Sequence, residues 1–300
     1  YIYFSRPSVY LTKDKKIKFG TIESLGSYEN IKDYMLQKEV DGLLDGDIRQ
    51  NLKRIEKITK SKEISNVVEI YASNLLEIAQ RRNLFVHNRG KIDQTYLDKV
   101  DKNNLPDNAR LGLKLVVSPK YLENAINIVQ TVATVILYSL WRQWANNQDD
   151  KKLSDHFLND FLLEKLELMQ FKLVRKVGIF IEKWNFSNPK TRFPILVNYG
   201  ISLLESDEEE HRKLLRKIIR KLEKFPAPEQ GEEAKKIAIS ILEGNNEYAL
   251  ELLPKAISKN AIDSIDLDNW PLFANLRDLP EFKEIRRSLF NKAGKLLHET

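Results

Sequence analysis

The scarcity of helix-breaking residues is the feature that most constrains the fold of this chain. Of its 300 residues, 11 are glycine and 10 are proline. Most long stretches place apolar residues at three- and four-residue intervals, which is the spacing of one face of an α-helix. Few stretches alternate apolar and polar residues as a half-buried strand does. The sequence therefore predicts an all-α fold, and its length suits one large domain or two ordinary ones.

Four helices are predicted in the first half of the chain. They cover Ile22–Gln37, Gly42–Ile58, Ile64–His87 and Lys120–Asn146. The third ends at Asn88-Arg89-Gly90, because glycine readily takes the left-handed conformation past a helix end, and Pro119 opens the fourth. Tyr1–Phe19 is the one strand-like piece, and residues 1–20 are interpreted as the remnant of a truncated N-terminal element. A chain that starts at Tyr1 rather than Met indicates a fragment or a processed form.

The second half is also predicted to be helical. Its helices cover Phe157–Trp184 (one long helix or two), Lys190–Glu205, Glu208–Phe225, Glu232–Leu242, Glu247–Lys259 and Glu281–His298. Helix pairs joined by short polar turns are typical of an α-solenoid or TPR-like domain, although no 34-residue period is found. The polar run Asn146–Lys152 is the best domain boundary. We therefore predict one domain over residues 1–147 and a helical-repeat-like domain over residues 153–300.

Residue composition excludes several kinds of site. Cysteine is absent, which rules out disulfides, thiolate metal sites and cysteine nucleophiles. The histidines lack metal-ligand spacing, and the sequence has neither a glycine-rich phosphate loop nor a Gly-x-Ser-x-Gly elbow, so no metal and no cofactor are expected. No signal peptide is visible, and the longest apolar run, Thr131–Trp141, is too short to span a bilayer. These features predict a soluble, cytoplasmic protein with no membrane partner.

The charge of the chain is mildly positive. A net charge of +6 is less than a dedicated nucleic-acid-coating protein carries. The distribution is more informative, because residues 81–91 hold four basic side chains and no acidic one. A polyanion could bind there, and a solvated surface is the plainer interpretation.

His87 is the histidine that the sequence singles out. His156 lies near the predicted boundary, His211 in a run of charges and His298 at the tail, where ordinary surface positions are the simpler interpretation. A histidine in the last turn of a helix, as His87 is, is favoured by the helix dipole without any catalytic role. Arg82 precedes it by five residues, or about 140° around the helix axis. One copy of this helix would not aim both side chains at one point, whereas two copies at a two-fold axis could.

The segment around His87 resembles the catalytic motif of HEPN domains. Arg82-Asn83-Leu84-Phe85-Val86-His87 is similar to the Arg-x4-6-His motif, with the polar residue often found directly after the arginine. Asn88-Arg89-Gly90-Lys91-Ile92-Asp93 and Tyr96-Leu97 resemble the His-Asn-x-Gly-x-x-(Asn/Asp)…Tyr-Leu continuation of bacterial members. Val117–Ala125 resembles the start of their closing helix. The similarity covers roughly residues 20–147.

The resemblance implies an all-α HEPN-type bundle that cleaves RNA without a metal. It assigns catalysis to Arg82 and His87, with Asn83 at the supporting polar position. The residue types suit this chemistry, because histidine titrates near neutral pH and can act as base and then acid, while arginine keeps its charge and can stabilise a phosphorane. The expected products are a 2′,3′-cyclic phosphate and a 5′-hydroxyl. Such sites are usually composite, so the single motif implies a homodimer.

Four further residues are weaker candidates for RNA contact. Arg81, Arg89 and Lys91 could contact phosphates, and each could equally be plain surface. Tyr96 could stack on a base, although packing against the motif helix is the simpler interpretation. Near the C-terminus, residues 268–282 resemble the closing segment that follows TPR-like repeats, and nothing there suggests catalysis.

Three functional hypotheses follow. The first is a HEPN endoribonuclease that serves as a toxin or abortive-infection effector in defence, with a C-terminal half that docks an antitoxin or regulatory protein. The second is a non-catalytic HEPN/TPR-like interaction or regulatory module, which the intact Arg82 and His87 pair disfavours. The third is a nucleotide-dependent partner of a nucleotidyltransferase, which nothing in the chain selects.

Overall fold

The chain is an all-α protein in the computed structural model. The structure describes residues 16–44, 47–145, 147–186, 189–226 and 231–288. Most of the strand-like segment predicted over Tyr1–Phe19 lies outside these ranges. Within them, β-type pairing is confined to one isolated bridge between Lys91 and Lys114. Two compact units, Tyr1–Val132 and Ala133–Thr300, are described separately below as units 1 and 2.

Unit 1 is built from consecutive helices that surround a core of aliphatic side chains. Its helices are α1 (Phe19–Leu25), α2 (Tyr28–Leu44), α3 (Ile48–Thr59), α4 (Lys62–His87), α5 (Gln94–Lys99), a 3-10 turn (Lys102–Asn104) and the first part of α6 (Pro119–Trp144). Gly26, with φ of +70°, ends α1, so the single helix predicted over Ile22–Gln37 is divided there. Helix α4 packs on α3. Its first turn is capped by the Ser61 hydroxyl, which accepts from the Ile64 amide at 3.3 Å.

Unit 2 comprises the last part of α6 and a succession of packed helices after it. They are α7 (Gln148–Glu167), α8 (Phe171–Ile181), α9 (Pro189–Leu204), α10 (Glu209–Glu223), α11 (Glu232–Glu243), α12 (Asn246–Ser258), α13 (Ser264–Asn269), a 3-10 turn (Pro271–Phe273) and helical residues 280–288. Helix α9 is the central element, because it packs on α7, α8, α10 and α11. Its Tyr199 ring fills the space beside Gly178, where an added Cβ would lie 2.1 Å from the ring.

The polar run predicted as a linker begins a helix instead. The Asn147 side chain accepts from the Asp150 amide at 2.8 Å and caps α7. Polar residues are common at such positions because they satisfy the free amides of a first turn. The compact units divide at Val132 and Ala133, and the boundary between independent domains near residues 147–153 stays a prediction.

Helix α6 is the one described helix that is long and apolar enough to cross a bilayer. Half of its most apolar window is nevertheless buried within the protein. A core helix of a soluble protein has the same length and composition. The pattern is therefore compatible with a soluble protein, while a cytoplasmic location stays a prediction.

Candidate functional site

The end of α4 is a tight, glycine-dependent turn. The amides of Asn88 and Gly90 both donate to the Leu84 carbonyl, at 2.8 and 2.9 Å. Gly90 has a φ of +76°, and a Cβ on it would lie 2.9 Å from the Phe85 ring. Both the conformation and the close approach of Phe85 therefore favour glycine. The sequence prediction that this helix ends at His87, with Asn88-Arg89-Gly90 terminating it, is confirmed.

The chain beyond Gly90 is fastened back onto a later loop. The Ile92 amide donates to the Leu113 carbonyl at 2.9 Å, and the Leu115 amide donates to the Gly90 carbonyl at 2.8 Å. Asp93 then caps α5 by accepting from the Tyr96 amide at 2.8 Å. Gly90 and Asp93 thus have structural explanations, and the backbone bonds of this segment hold it next to the end of α4.

A compact apolar cluster lies beneath this turn. Its buried members are Leu84, Ile92, Tyr96, Val100 and Leu115, and Leu97, Leu105, Ala109 and Leu113 pack against them. Leu84 is a member of the motif Arg82–His87, so the motif has one side chain in the core. This anchor fixes which motif side chains face solvent.

The proposed catalytic side chains all face solvent. Arg82, Asn83 and His87 are exposed, and an Arg82 Nη1 donates to the Asn83 Oδ1 at 3.3 Å. The His87 imidazole has no hydrogen-bond partner among the described residues. The structure therefore brings Arg82 and Asn83 together, and within one chain it gives no bond between Arg82 and His87.

Two more cations lie on the turn itself. Arg89 and Lys91 are both exposed, and neither forms an ion pair within the described part of the chain. Arg89 has a φ of +51°, which is part of the reversal after α4. Together with Arg82, these side chains give the end of α4 a positive surface that a phosphate could approach.

Arg81, the fifth basic or histidine side chain of this segment, is buried. Its side chain is 9% exposed, and its Nε donates to the Glu77 carboxylate at 2.6 Å. The guanidinium also lies over the Tyr121 ring, 4.0 Å from the ring centre, which is a cation–π geometry. Although burial alone would lower the pKa of Arg81, Glu77 raises it. The Arg81 guanidinium is therefore held by contacts within the protein, whereas that of its neighbour Arg82 is exposed.

Glu77 is the centre of this buried network. Besides Arg81, the Tyr96 hydroxyl donates to it at 2.7 Å and the Tyr121 hydroxyl at 2.8 Å. Burial, and secondarily the hydrogen bond to Glu77, raises the pKa of Tyr96 and of Tyr121 well above the ordinary tyrosine value. Tyr96 is 1% exposed, so its ring offers no face to a base in this structure. The network ties α4 to α5 and α6.

A small pocket of about 180 Å³ opens beside the network. Its polar lining includes Asn74, Glu77, Arg81 and Tyr121. Arg81 lies near the middle of the wider arc of helix between Arg82 and His87, because successive residues are 100° apart. The pocket beside Arg81 therefore lies on the side of α4 that faces away from both Arg82 and His87.

Glu77 and Tyr121 are the residues of the buried network that the sequence analysis did not identify. Glu77 lies ten residues before His87, and Tyr121 is 44 residues from Glu77. A glutamate on the apolar face of an amphipathic helix was the available signal, since a buried carboxylate requires partners. No local pattern names those partners.

The described residues contain no cluster of three or more histidine, aspartate or glutamate side chains that could hold a metal ion.

None of the protein-family models, curated proteins or solved structures compared with this chain matches it. The candidate site therefore rests on its own geometry and chemistry.

Proposed function

We propose that the chain is a metal-independent endoribonuclease of the HEPN type, acting as a toxin or defence effector. The observation that carries the proposal is the contrast between Arg81 and its exposed neighbours. Arg82, Asn83 and His87 project to solvent from a helix end that is held by a buried network. A helix end with an exposed imidazole and an exposed guanidinium supplies the two groups that cleavage by a 2′-hydroxyl requires.

The proposed reaction uses these groups as follows. The His87 imidazole takes the proton of an RNA 2′-hydroxyl while that oxygen forms a bond to the adjacent phosphorus. Arg82 donates hydrogen bonds to the non-bridging oxygens as negative charge develops there. The bond from phosphorus to the 5′-oxygen then breaks, and an imidazolium returns a proton to that oxygen. The products are a 2′,3′-cyclic phosphate and a 5′-hydroxyl.

A second copy of the chain completes the proposed site. Arg82 and His87 are separated by about 140° around α4 and by about 7.5 Å along its axis. A two-fold axis close to the end of α4 could bring the Arg82 of one copy beside the His87 of the other. Asn83, which contacts Arg82 at 3.3 Å, would help to orient the guanidinium. Arg89 and Lys91 are proposed to contact neighbouring phosphates.

A cleavage assay in EDTA tests the proposal. Labelled single-stranded RNAs of varied sequence are incubated with the wild-type chain, with His87→Ala and with His156→Ala. We expect a loss of at least about 100-fold for His87→Ala, the usual contribution of a general acid–base residue. His156 is the matched control, because it is an exposed helical histidine that pairs with Asp160 among the described residues. Equal cleavage by all three proteins would show that the site is misassigned.

Mixing two inactive variants tests the composite site. Arg82→Ala and His87→Ala are each expected to be inactive, and a mixed dimer retains one Arg82 and one His87 on different chains. If the site is shared, subunit exchange restores a substantial fraction of wild-type cleavage. If mixing restores nothing although exchange occurs, the site does not combine residues from two chains.

The alternative function is a non-catalytic binding or regulatory module. The observation that favours it is the absence of any bond between Arg82 and His87 within the described chain. This alternative predicts that the wild-type chain binds RNA or a protein partner and leaves varied RNAs uncut, whatever residue occupies position 87.

A further inference from the structure

Helix α10 carries an unusual concentration of positive charge. Residues 211–224 contain seven lysines and arginines and one acidic side chain, Glu223. The whole chain has 49 basic and 43 acidic side chains, so the rest of it holds 42 of each. Five acidic side chains, at positions 205 and 207–210, directly precede these residues, so the positive charge of α10 lies beyond its acidic first turn. Such a concentration is the electrostatic signature of a surface for a polyanion.

The packing of α10 orients this charge outward. Leu215, Ile218, Ile219 and Leu222 are buried in unit 2, and the basic residues occupy the other side of the helix. Arg212, Arg216 and Arg220 are exposed and follow one another at four-residue intervals. This interval corresponds to a rise of about 6 Å, so the three guanidiniums form a row along the helix.

Ion pairs and a cap hold α10 firmly. The buried Glu182 accepts from Lys217 at 2.9 Å and from Lys221 at 2.8 Å. At the C-terminal end of α10, the Lys235 ammonium donates to the carbonyls of Glu223 and Phe225 at 3.0 and 2.6 Å. A cation at this helix end also adds to the positive potential and complements the helix dipole.

Acidic partners neutralise only part of the outward face. Arg216 lies 3.2 Å from Glu209, and Arg212 lies 3.8 Å from Asp207. Both are exposed contacts of the kind that contribute little. Lys213 and Arg220 form no ion pair with any described residue. A row of cations at a regular spacing, beyond the acidic first turn of the helix, is suited to a repeating anion.

We propose that the outward face of α10 binds the phosphate backbone of single-stranded RNA without reading its sequence. The identity of the polyanion as RNA rests on the proposed ribonuclease function. A lipid surface is disfavoured because the apolar side of α10 is buried, and none of the large exposed hydrophobic side chains of the described residues lies on this helix. Arginine guanidiniums suit phosphate because their planar forks make bidentate hydrogen bonds.

Binding without cleavage tests the proposal. Fluorescence anisotropy with a labelled 20-nucleotide RNA is measured in EDTA on the full chain carrying His87→Ala, across a salt series. In this background, Arg212→Gln, Arg216→Gln and Arg220→Gln are introduced together. We expect at least a tenfold loss of affinity and a decrease of about 2 in the slope of log affinity against log salt, since each phosphate contact contributes about 0.7 for single strands. Circular dichroism should be unchanged because the three side chains are exposed.

A control variant and a second probe make the test decisive. Lys152→Gln, Lys283→Gln and Arg287→Gln remove the same charge from exposed positions outside α10 and should leave the affinity within twofold. An equal loss in both triple variants, or none in the α10 variant, would overturn the proposal. So would binding of phosphatidylserine vesicles through α10 that equals or exceeds RNA binding. This binding experiment does not measure cleavage, so a failure of the ribonuclease proposal would appear only in the cleavage assay.

Discussion

Two buried carboxylates, one in each unit, support helices in different ways. Glu77 in unit 1 binds Arg81, which is itself 9% exposed, and two tyrosine hydroxyls. Glu182 in unit 2 binds Lys217 and Lys221, whose side chains remain 52% and 30% exposed. Arg81, which pairs with Glu77, is buried and adds no charge to the surface. Lys217 and Lys221, which pair with Glu182, still add positive charge to the surface of α10. The same residue type therefore has a structural role in one unit and a structural and electrostatic role in the other.

Removing Glu77 should have the largest effect on stability. Glu77→Ala leaves the Arg81 guanidinium buried without its carboxylate, and such a change costs about 3–5 kcal/mol of unfolding free energy. Urea denaturation followed by circular dichroism measures this loss. Glu69→Ala, at an exposed position on the same helix, is the control and should stay within about 0.5 kcal/mol. Equal stabilities of the two variants would contradict the role given to Glu77.

Removing one hydroxyl from the Glu77 network should have an intermediate effect. Tyr121→Phe preserves the ring under Arg81 and deletes the donor to Glu77, so we expect a loss of about 2 kcal/mol, typical of a hydrogen bond to a charged group. The same denaturation measurement applies. Tyr34→Phe should be neutral, because Tyr34 is 40% exposed and its hydroxyl has no bond within the described chain. A neutral Tyr121→Phe would show that the other two donors suffice.

Removing Glu182 should destabilise the chain less and strengthen RNA binding. Lys217 and Lys221 can return to water, so Glu182→Ala is expected to cost about 1 kcal/mol. RNA affinity should rise because Lys217 and Lys221 of α10 lose the carboxylate that pairs with them. Glu223→Ala removes an exposed negative charge from α10 and should raise affinity without the stability cost. If Glu182→Ala weakens RNA binding, the charges on α10 are not available to RNA.

The two networks should also differ in pH dependence, which is the smallest expected effect. Burial acts to raise the pKa of Glu182, but the bonds from Lys221 and Lys217 lower it overall. Its contribution is therefore present above the ordinary glutamate pKa and lost as pH falls. The pKa of Tyr121 is raised by burial and Glu77, so its contribution is present below the ordinary tyrosine pKa and lost as pH rises.

Denaturation of variants across pH checks this difference. The stability gap between wild type and Glu182→Gln should narrow below about pH 4, whereas the gap between wild type and Tyr121→Phe should narrow above about pH 10. If both stability differences narrow at the same end of the pH range, the pH dependence does not arise from the titration of Glu182 and Tyr121 themselves.

Local features of the fold could be predicted from the sequence, and distant partners could not. Apolar periodicity predicted α4, and Gly90 marked its end, because both depend on neighbouring residues. The division at Gly26 was missed because the periodicity continues through it. The Asn147 run was interpreted as a linker because the residues that cap a helix are also those of loops.

The candidate site shows the same limit. Arg81 and Arg82 are identical in type and adjacent, and 100° of helix rotation separates a buried ion pair from an exposed side chain. Which of them faces inward depends on Glu77 and Tyr121, and Tyr121 lies 40 residues further along the chain than Arg81. The charge of α10, in contrast, is visible in the sequence, but its outward orientation depends on the core of unit 2.

The contrast between Arg81 and Arg82 has a chemical consequence. Dicarbonyl reagents modify arginines that present a free guanidinium to solvent, and they react slowly with one enclosed between a carboxylate and a ring. Arg82 should therefore be derivatised readily in the native protein, while Arg81 stays protected until the chain unfolds. Two consecutive residues would then serve as internal reporters, the first of the integrity of the fold and the second of whether a ligand covers the end of α4.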